Sequence, residues 1–176
     1  MNKVSIPQTL LIKSISYLQI VGGFLGIIMG FIVLFKAIHQ LMTYGHVNVT
    51  VTAILIFTPL VYLFIFLLTI RASILLMRFA RSGYRLSLFI QLLQLPIIIS
   101  PTLSYHLRIG AEVALGYFRA GNTAGWHWKA DLGSYYWFQL GAPILAHGFF
   151  INVLALTCMV ILIIYWPRQH KTEASN

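Results

Sequence analysis

The sequence predicts an all-α integral membrane protein: a four-helix transmembrane bundle with both termini in the cytoplasm and one aromatic-rich extracytoplasmic loop. Hydrophobic residues make up 59% of the 176 residues and charged residues only 9%, whereas a soluble domain normally carries about 25% charged residues. Four apolar segments reach about 20 residues, the length that spans a hydrocarbon core of about 30 Å. The basic residues are also distributed unevenly between the two predicted sides.

The four predicted transmembrane helices follow one another in a single membrane domain, residues 1–176. Each is bounded by basic residues or by proline. They cover residues 14–35, 49–70, 86–105 and 144–165. The first uncharged run exceeds the hydrophobic region of a cleaved signal, about 7–15 residues, and is therefore interpreted as a retained helix. The outer loop is predicted over about residues 106–137, and a cytoplasmic tail over residues 168–176.

Counting Lys and Arg on the two sides predicts the orientation. One side, comprising the N-terminus, the second connection and the tail, holds eight basic residues: Lys3, Lys13, Arg71, Arg78, Arg81, Arg85, Arg168 and Lys171. The other side holds four: Lys36, Arg108, Arg119 and Lys129. The positive-inside rule then predicts a multi-pass protein of the cell membrane with cytoplasmic termini.

The outer loop is rich in Tyr and Trp and is divided by glycines. Residues 112–119 and 134–140 are predicted strands on either side of a turn region at 121–125, which could form a small β-hairpin cap. Glu112 and Asp131 are the acidic residues of this loop. They are expected to pair with Arg108, Arg119 or Lys129.

Small residues mark one face of the first predicted helix. Gly22, Gly26 and Gly30 are spaced four residues apart, so they lie close together along that face. Glycine lets another helix approach closely, and close packing holds helices together in lipid. The contact is expected within the same bundle, with self-association or a partner subunit as the alternative.

An unopposed basic cluster follows the second predicted helix. It consists of Arg71, Arg78, Arg81 and Arg85. Such a cluster beside an apolar helix is typical of contact with anionic lipid headgroups on the cytoplasmic side. The alternative is a docking site for an acidic cytoplasmic partner or a phosphorylated lipid.

Polar residues within the apolar segments predict a polar cavity. Gln91 and Gln94 lie on one stripe of the third predicted helix, where Pro96 and Pro101 free backbone carbonyls. Thr58 and Tyr62 lie at a similar depth on the second helix. The four polar side chains could line a permeation path, or they could form hydrogen bonds between helices.

Histidines on the outer side are candidates for a metal, haem or quinone site. His39, His106 and His147 are the candidate ligands, since imidazoles on converging helices can bind a metal or haem iron. Interfacial histidines with ordinary hydrogen-bond partners are the alternative. No motif requires a cofactor.

The missing motifs point away from catalysis. The four predicted spans contain no carboxylate, and the chain has no G-x-G, G-x-S-x-G or H-E-x-x-H motif. We therefore predict a non-catalytic subunit or interaction partner of a membrane complex. Its partners would be the bilayer and either another membrane subunit or a second copy. The alternatives are an oligomeric channel lined by the third helix and a histidine-based redox protein. Nucleic acid is not expected as a partner, because the basic residues lie between apolar runs.

Overall fold

The computed structural model describes residues 6–44, 49–141 and 145–166. Within these residues the chain forms four helices and a six-stranded antiparallel sheet inserted between the third and fourth helices. The helices are α1 (Ile6–Tyr44), α2 (Val49–Met77), α3 (Arg81–Gln94) and α4 (Val153–Ile164). The strands are β1 (Pro96–Ile99), β2 (Leu103–Arg108), β3 (Ala111–Ala120), β4 (Thr123–Leu132), β5 (Tyr135–Leu140) and β6 (Ala146–Asn152).

The prediction of an all-α four-helix bundle is wrong. The predicted span at residues 86–105 is helical only as far as Gln94 and continues as β1 and β2. The predicted span at residues 144–165 contains β6 and becomes helical at Val153. Pro96 lacks the N–H that would bond to the Leu92 carbonyl, so α3 ends there. An apolar run suits a buried strand as well as a helix, and its periodicity does not separate the two.

In the part of the chain that the structure describes, two helices are long and apolar enough to cross a membrane. The qualifying stretches are Gln8–Thr43 in α1 and Thr52–Met77 in α2. At about 1.5 Å per residue, α1 is about 58 Å long and α2 about 44 Å. By the same measure α3 and α4 reach about 21 Å and 18 Å, which is short of a hydrocarbon core of about 30 Å. Two of the four predicted transmembrane helices therefore remain as candidates. The predicted cytoplasmic location of both termini concerns residues outside the described ranges.

The four helices meet around the N-terminal part of α1. A buried apolar cluster joins them there, formed by Ile12, Ile15, Leu76, Tyr84, Cys158 and Leu162. The turn between α2 and α3 is tight, because Phe79 adopts a φ of 54° and Ala80 donates its N–H to the Leu75 carbonyl. At α4, the Asn152 side chain caps the helix by accepting from the Ala155 N–H. The sheet therefore leads directly into the helical unit.

The sheet has the strand order β4-β3-β6-β1-β2-β5, with all neighbours antiparallel. The predicted strands at 112–119 and 134–140 overlap β3 and β5, but they do not form a hairpin with each other. Instead β3 pairs with β4 and β6, while β5 pairs with β2. The predicted hairpin is wrong because a further strand, β4 at Thr123–Leu132, lies between the two segments in the chain and pairs with β3.

The sheet curls strongly at the end next to the helices. Its two edge strands, β4 and β5, would be about 24 Å apart in a flat sheet, since neighbouring strands are spaced by about 4.8 Å. However, β4 ends at Leu132 and β5 begins at Tyr135, and three residues of chain span at most about 11 Å. The two edges must therefore converge there, and the Gly133 N–H donates to the Gly110 carbonyl of the facing turn.

Candidate functional site

The glycines of α1 lie against two different neighbours. A Cβ at Gly22 would meet the backbone of Ile109 and Gly110, in the turn between β2 and β3. A Cβ at Gly26 would overlap the Phe66 ring, and one at Gly30 would lie 2.8 Å from Leu63 Cδ2. All three glycines face partners within the same chain. Self-association through this face stays a prediction. Neighbours in the same chain already occupy the face at these three positions, so no free surface there supports it.

The predicted basic cluster is spread over α2, the turn and α3. Arg71, Arg78, Arg81 and Arg85 are all exposed. None of them pairs with a carboxylate within the described part of the chain. They are therefore available to an anionic partner, and their role as a headgroup site stays a prediction.

The four residues of the predicted polar cavity do not share one cavity. Thr58 lines a cleft between α2 and β5, while Tyr62 is buried with its ring 4.2 Å from that of Tyr136. Gln91 and Gln94 are buried in the helical unit, outside the lining of this cleft. The Gln94 amide donates to the Ile90 carbonyl and accepts from the Ile109 N–H. These bonds lie within α3 and to the turn between β2 and β3, so hydrogen bonding by Gln94 between two helices stays a prediction.

A buried polar contact joins α1, α2 and α3. The carboxamide oxygen of Gln19 accepts from the hydroxyls of Ser73 and Ser87, each at 3.1 Å. All three residues are almost completely buried, and the Gln19 amide nitrogen has no hydrogen-bond partner among the described residues. The sequence analysis did not identify this contact, because its members are far apart along the chain and serine is common in membrane helices.

Replacement of Ser87 by alanine tests this contact. A buried hydrogen bond contributes about 1 kcal/mol, so S87A is expected to lower the unfolding midpoint by about 2–4 °C in a thermal scan. In a Gln19→Leu background the same replacement should cost less, because the acceptor is already gone. Thr157→Ala is the control, since that hydroxyl is exposed and bonds only to the Val153 carbonyl. Equal losses in both backgrounds would contradict the contact.

The three candidate histidines do not converge. His39 is exposed on α1. His106 contacts Glu112 near the start of β3, whereas His147 pairs in register with Arg119. Arg119 follows Glu112 by seven positions along β3, which corresponds to about 23 Å of strand. The described residues contain no group of three or more His, Cys, Asp or Glu side chains that could hold a metal ion.

His106 instead belongs to a charged cluster at the curled end of the sheet, which we call the sheet clasp. Its members are His106 and Arg108 on β2, Glu112 on β3, and Lys129 and Asp131 on β4. His106 Nε2 lies 2.6 Å from Glu112 Oε2, and Lys129 Nζ lies 2.8 Å from Glu112 Oε1. Arg108 Nη1 lies 2.8 Å from Asp131 Oδ2. The expected pairing of Glu112 with Lys129 and of Asp131 with Arg108 is confirmed.

The clasp ties together strands that are not neighbours. Two strands, β6 and β1, stand between β3 and β2 in the sheet, so the contact of His106 with Glu112 requires the curl. Burial by itself would raise the pKa of the Glu112 carboxyl. The contacts and positive charges of His106 and Lys129 outweigh burial, so the pKa lies below its usual value.

The chemistry of the clasp is that of a buried ion pair. The Glu112 side chain is fully buried, and that of His106 is one-tenth exposed. An imidazole oriented by a carboxylate can serve as a general base, but none of the clasp residues lines the cleft between α2 and β5. The arrangement therefore supports a structural role, which is to hold β2, β3 and β4 together.

The opposite surface of the sheet carries a continuous apolar patch, which we call the outer sheet face. Its residues come from β3, β4 and β6 and are Leu115, Tyr117, Trp126, Trp128, Phe149 and Ile151, all exposed. The register places Trp128 beside Leu115 and Trp126 beside Tyr117. Trp126 and Trp128 are 74% and 76% exposed. Contiguous apolar surface of this kind marks contact with a protein or a membrane.

This patch ends at an open strand edge. Within the described residues β4 pairs with β3 alone, so its second edge presents unpaired backbone groups along a ten-residue strand. Long, apolar edge strands are templates for pairing with another chain. No family model, curated protein or solved structure matches this chain.

The aromatic residues of this surface are evident in the sequence, but their assembly into one surface is not. The alternation of Trp126 and Trp128 with polar His127 and Lys129 is a strand signal with a period of two. It could have identified β4. The pairing of β3 with both β4 and β6, which assembles the face, leaves no signal in local sequence.

Proposed function

We propose that the protein is a non-catalytic membrane protein that assembles with a second copy through β4. The observation that carries this proposal is the open β4 edge beside the outer sheet face. In this proposal α1 and α2 form a hairpin that crosses the bilayer, with the N-terminus and the turn between α2 and α3 in the cytoplasm. The sheet lies beside the hairpin.

The exposed surface of the hairpin supports its insertion. Large apolar side chains point outward along both helices, for example Phe24, Phe35, Phe57 and Phe64, each at least half exposed. Water disfavours such a surface, at about 25 cal/mol per Å² of apolar area. A bilayer would cover it without any further protein contact.

Charge also supports a membrane setting. The chain has twelve Lys and Arg residues against three Asp and Glu residues, and the sheet clasp occupies two of those acids. The exposed arginines Arg71, Arg78, Arg81 and Arg85 gain from an anionic surface, at about 1 kcal/mol each. The positive-inside rule favours the cytoplasm for their side of the membrane.

Pairing of β4 with the β4 strand of a second copy would remove the free-energy cost of an open strand edge near lipid. An unpaired backbone group in a hydrocarbon environment costs several kcal/mol, so open sheet edges do not occur against lipid. β5 is also paired on one side only, although its Tyr136 side chain packs on Tyr62 of α2. The β4 edge has no such cover within the described residues. A second β4 strand, antiparallel to the first, would satisfy it and would place exposed tryptophans beside each other.

Molecular mass in mild detergent tests the assembly. Light scattering on the purified chain is expected to give a homo-oligomer, and Trp128→Lys is expected to give the monomer, because a charged residue on an edge strand opposes pairing. Leu145→Lys is the control, since Leu145 is 91% exposed but lies outside the strands. A wild-type monomer without a partner would overturn the proposal.

Cross-linking locates the contact. In a Cys158→Ala background, single cysteines at the exposed positions 124, 126, 128 and 130 of β4 are tested one at a time. Two identical antiparallel strands bring equivalent residues together only near their symmetry axis. One position should therefore cross-link best, with the yield falling on both sides of it. Uniform yields along the strand would contradict a defined pairing.

A further inference from the structure

A cleft of about 590 Å³ opens between α2 and β5. Its volume lies within the range of small-molecule sites, about 300–1,000 Å³. At one end of β5 the contact between Tyr62 and Tyr136 brings the strand against the helix. The lining then continues along α2 to Ile54 and along β5 to Leu140.

The walls of this cleft are apolar, and no other part of the described chain covers them. Phe57 is 68% exposed, and Phe138 and Leu140 are also exposed, although all three line the cleft. Thr58 and Gln139 supply the few polar groups besides the Tyr136 hydroxyl. A narrow apolar cleft with little polarity is suited to a hydrocarbon chain rather than to a polar metabolite.

A second, smaller groove continues the cleft across α2 to α1. Ile54 and Thr58 line both the cleft and the groove. Lys36 and Gln40 of α1 line the groove but not the cleft. The exposed Lys36 has no carboxylate partner within the described residues. Pro59 also lines the groove and cannot donate to the Leu55 carbonyl, so a backbone acceptor lacks its helical donor there.

We infer that the cleft binds an anionic phospholipid, with one acyl chain between α2 and β5 and the headgroup at Lys36. The apolar walls would take the chain, and the lysine would take the phosphate. The groove adds Gln40, Thr58 and the Leu55 carbonyl as hydrogen-bonding groups for headgroup hydroxyls. This site is separate from the arginines of α2 and α3, which lie on the side opposite the α1–α2 connection.

Native mass spectrometry in a neutral detergent tests acyl-chain binding. Phosphatidylglycerol and phosphatidylcholine with identical chains are added in turn, and one retained lipid per chain is expected. Ala53→Trp places a large side chain in the cleft, because Ala53 is an exposed lining residue. This variant should lose the lipid. Leu67→Trp, on the same helix but outside the lining, should retain it. Unchanged retention by Ala53→Trp would overturn the inference.

Headgroup recognition is tested with a charge variant. Wild type should prefer phosphatidylglycerol over phosphatidylcholine by about fivefold, the effect of one lysine near an anionic group. Lys36→Gln should remove this preference while retaining the acyl chain. Lys13→Gln, an exposed lysine near the other end of α1, should leave the preference unchanged. Equal binding of both lipids by the wild type would overturn the headgroup assignment.

The lipid site does not depend on assembly through β4. The cleft is lined by α2 and by β5, the edge strand at the other end of the strand order from β4, and the headgroup residues Lys36 and Gln40 lie on α1. Trp128→Lys is therefore expected to release a monomer that still retains lipid. Loss of assembly and loss of lipid can be read separately in the same mass spectrum.

Discussion

Replacement of Glu112 by glutamine is expected to lower the stability of the protein by about 3 kcal/mol. The replacement removes the negative partner of a buried ion pair and leaves the other partner without a compensating charge. Glu112 is fully buried between His106 and Lys129. In a chain of this size the loss corresponds to a fall of about 6–12 °C in the thermal midpoint, measured by circular dichroism in detergent. Asp131→Asn is the control, since the Asp131 side chain is 46% exposed and its ion pair with Arg108 should contribute at most about 1 kcal/mol.

The effect of Glu112→Gln is also expected to depend on pH. The pKa of Glu112 is lower in the folded protein than its ordinary value of 4.5. The carboxylate therefore contributes its stability in full above that value, and the contribution is lost as the pH falls through the folded-state pKa. The difference in midpoint between wild type and E112Q should shrink on acidification from about pH 6 to about pH 3. A difference that stays constant, or an equal loss in Asp131→Asn, would contradict the clasp.

Replacement of Gly22 by alanine is expected to have the second large effect. Its Cβ would lie 2.7 Å from Gly110 Cα and overlap the neighbouring backbone. The Gly22 carbonyl also accepts the Ser134 hydroxyl in the same contact. Because backbone atoms cannot turn aside as a side chain can, α1 would have to move away from the sheet. We expect a loss of about 3 kcal/mol, again measured as a fall in the thermal midpoint.

Two other glycines provide graded controls for this prediction. A Cβ at Gly30 would meet the flexible end of the Leu63 side chain, so Gly30→Ala should cost less than Gly22→Ala. At Gly125 the nearest atom would be 3.9 Å away, and alanine should be tolerated. Equal losses in all three variants would contradict this prediction, because alanine is more favourable than glycine within a helix and a Cβ at Gly125 has free space.

Part of the fold could be predicted from local sequence. The uncharged runs of α1 and α2 are long, so apolar composition and length were sufficient to identify both helices. The runs around Ile97–Ile99 and Ala146–Asn152 are short and apolar, and composition alone does not distinguish a helix from a strand there. Pro96 is a helix stop at this point, because its nitrogen cannot donate to the Leu92 carbonyl.

The candidate sites were harder to predict, because they join residues that are distant in the chain. Gln19 meets Ser73 and Ser87 across three helices, and His106 reaches Glu112 only because the sheet curls. The pairing of Glu112 with Lys129 was accessible, since acidic residues are scarce and basic ones lie nearby. The cleft between α2 and β5 required the packing of both elements.

By itself the sequence determined the apolar character of the chain, its basic charge, the two long helices and the scarcity of carboxylates, since these properties follow from composition and from local runs. Only the tertiary structure decided that residues 96–152 form a sheet, which strand is left as an open edge, and which polar groups are buried together. Strand pairing and burial depend on contacts between residues far apart in the chain. A run of isoleucines or phenylalanines satisfies a buried strand and a membrane helix equally well, until its neighbours are in place.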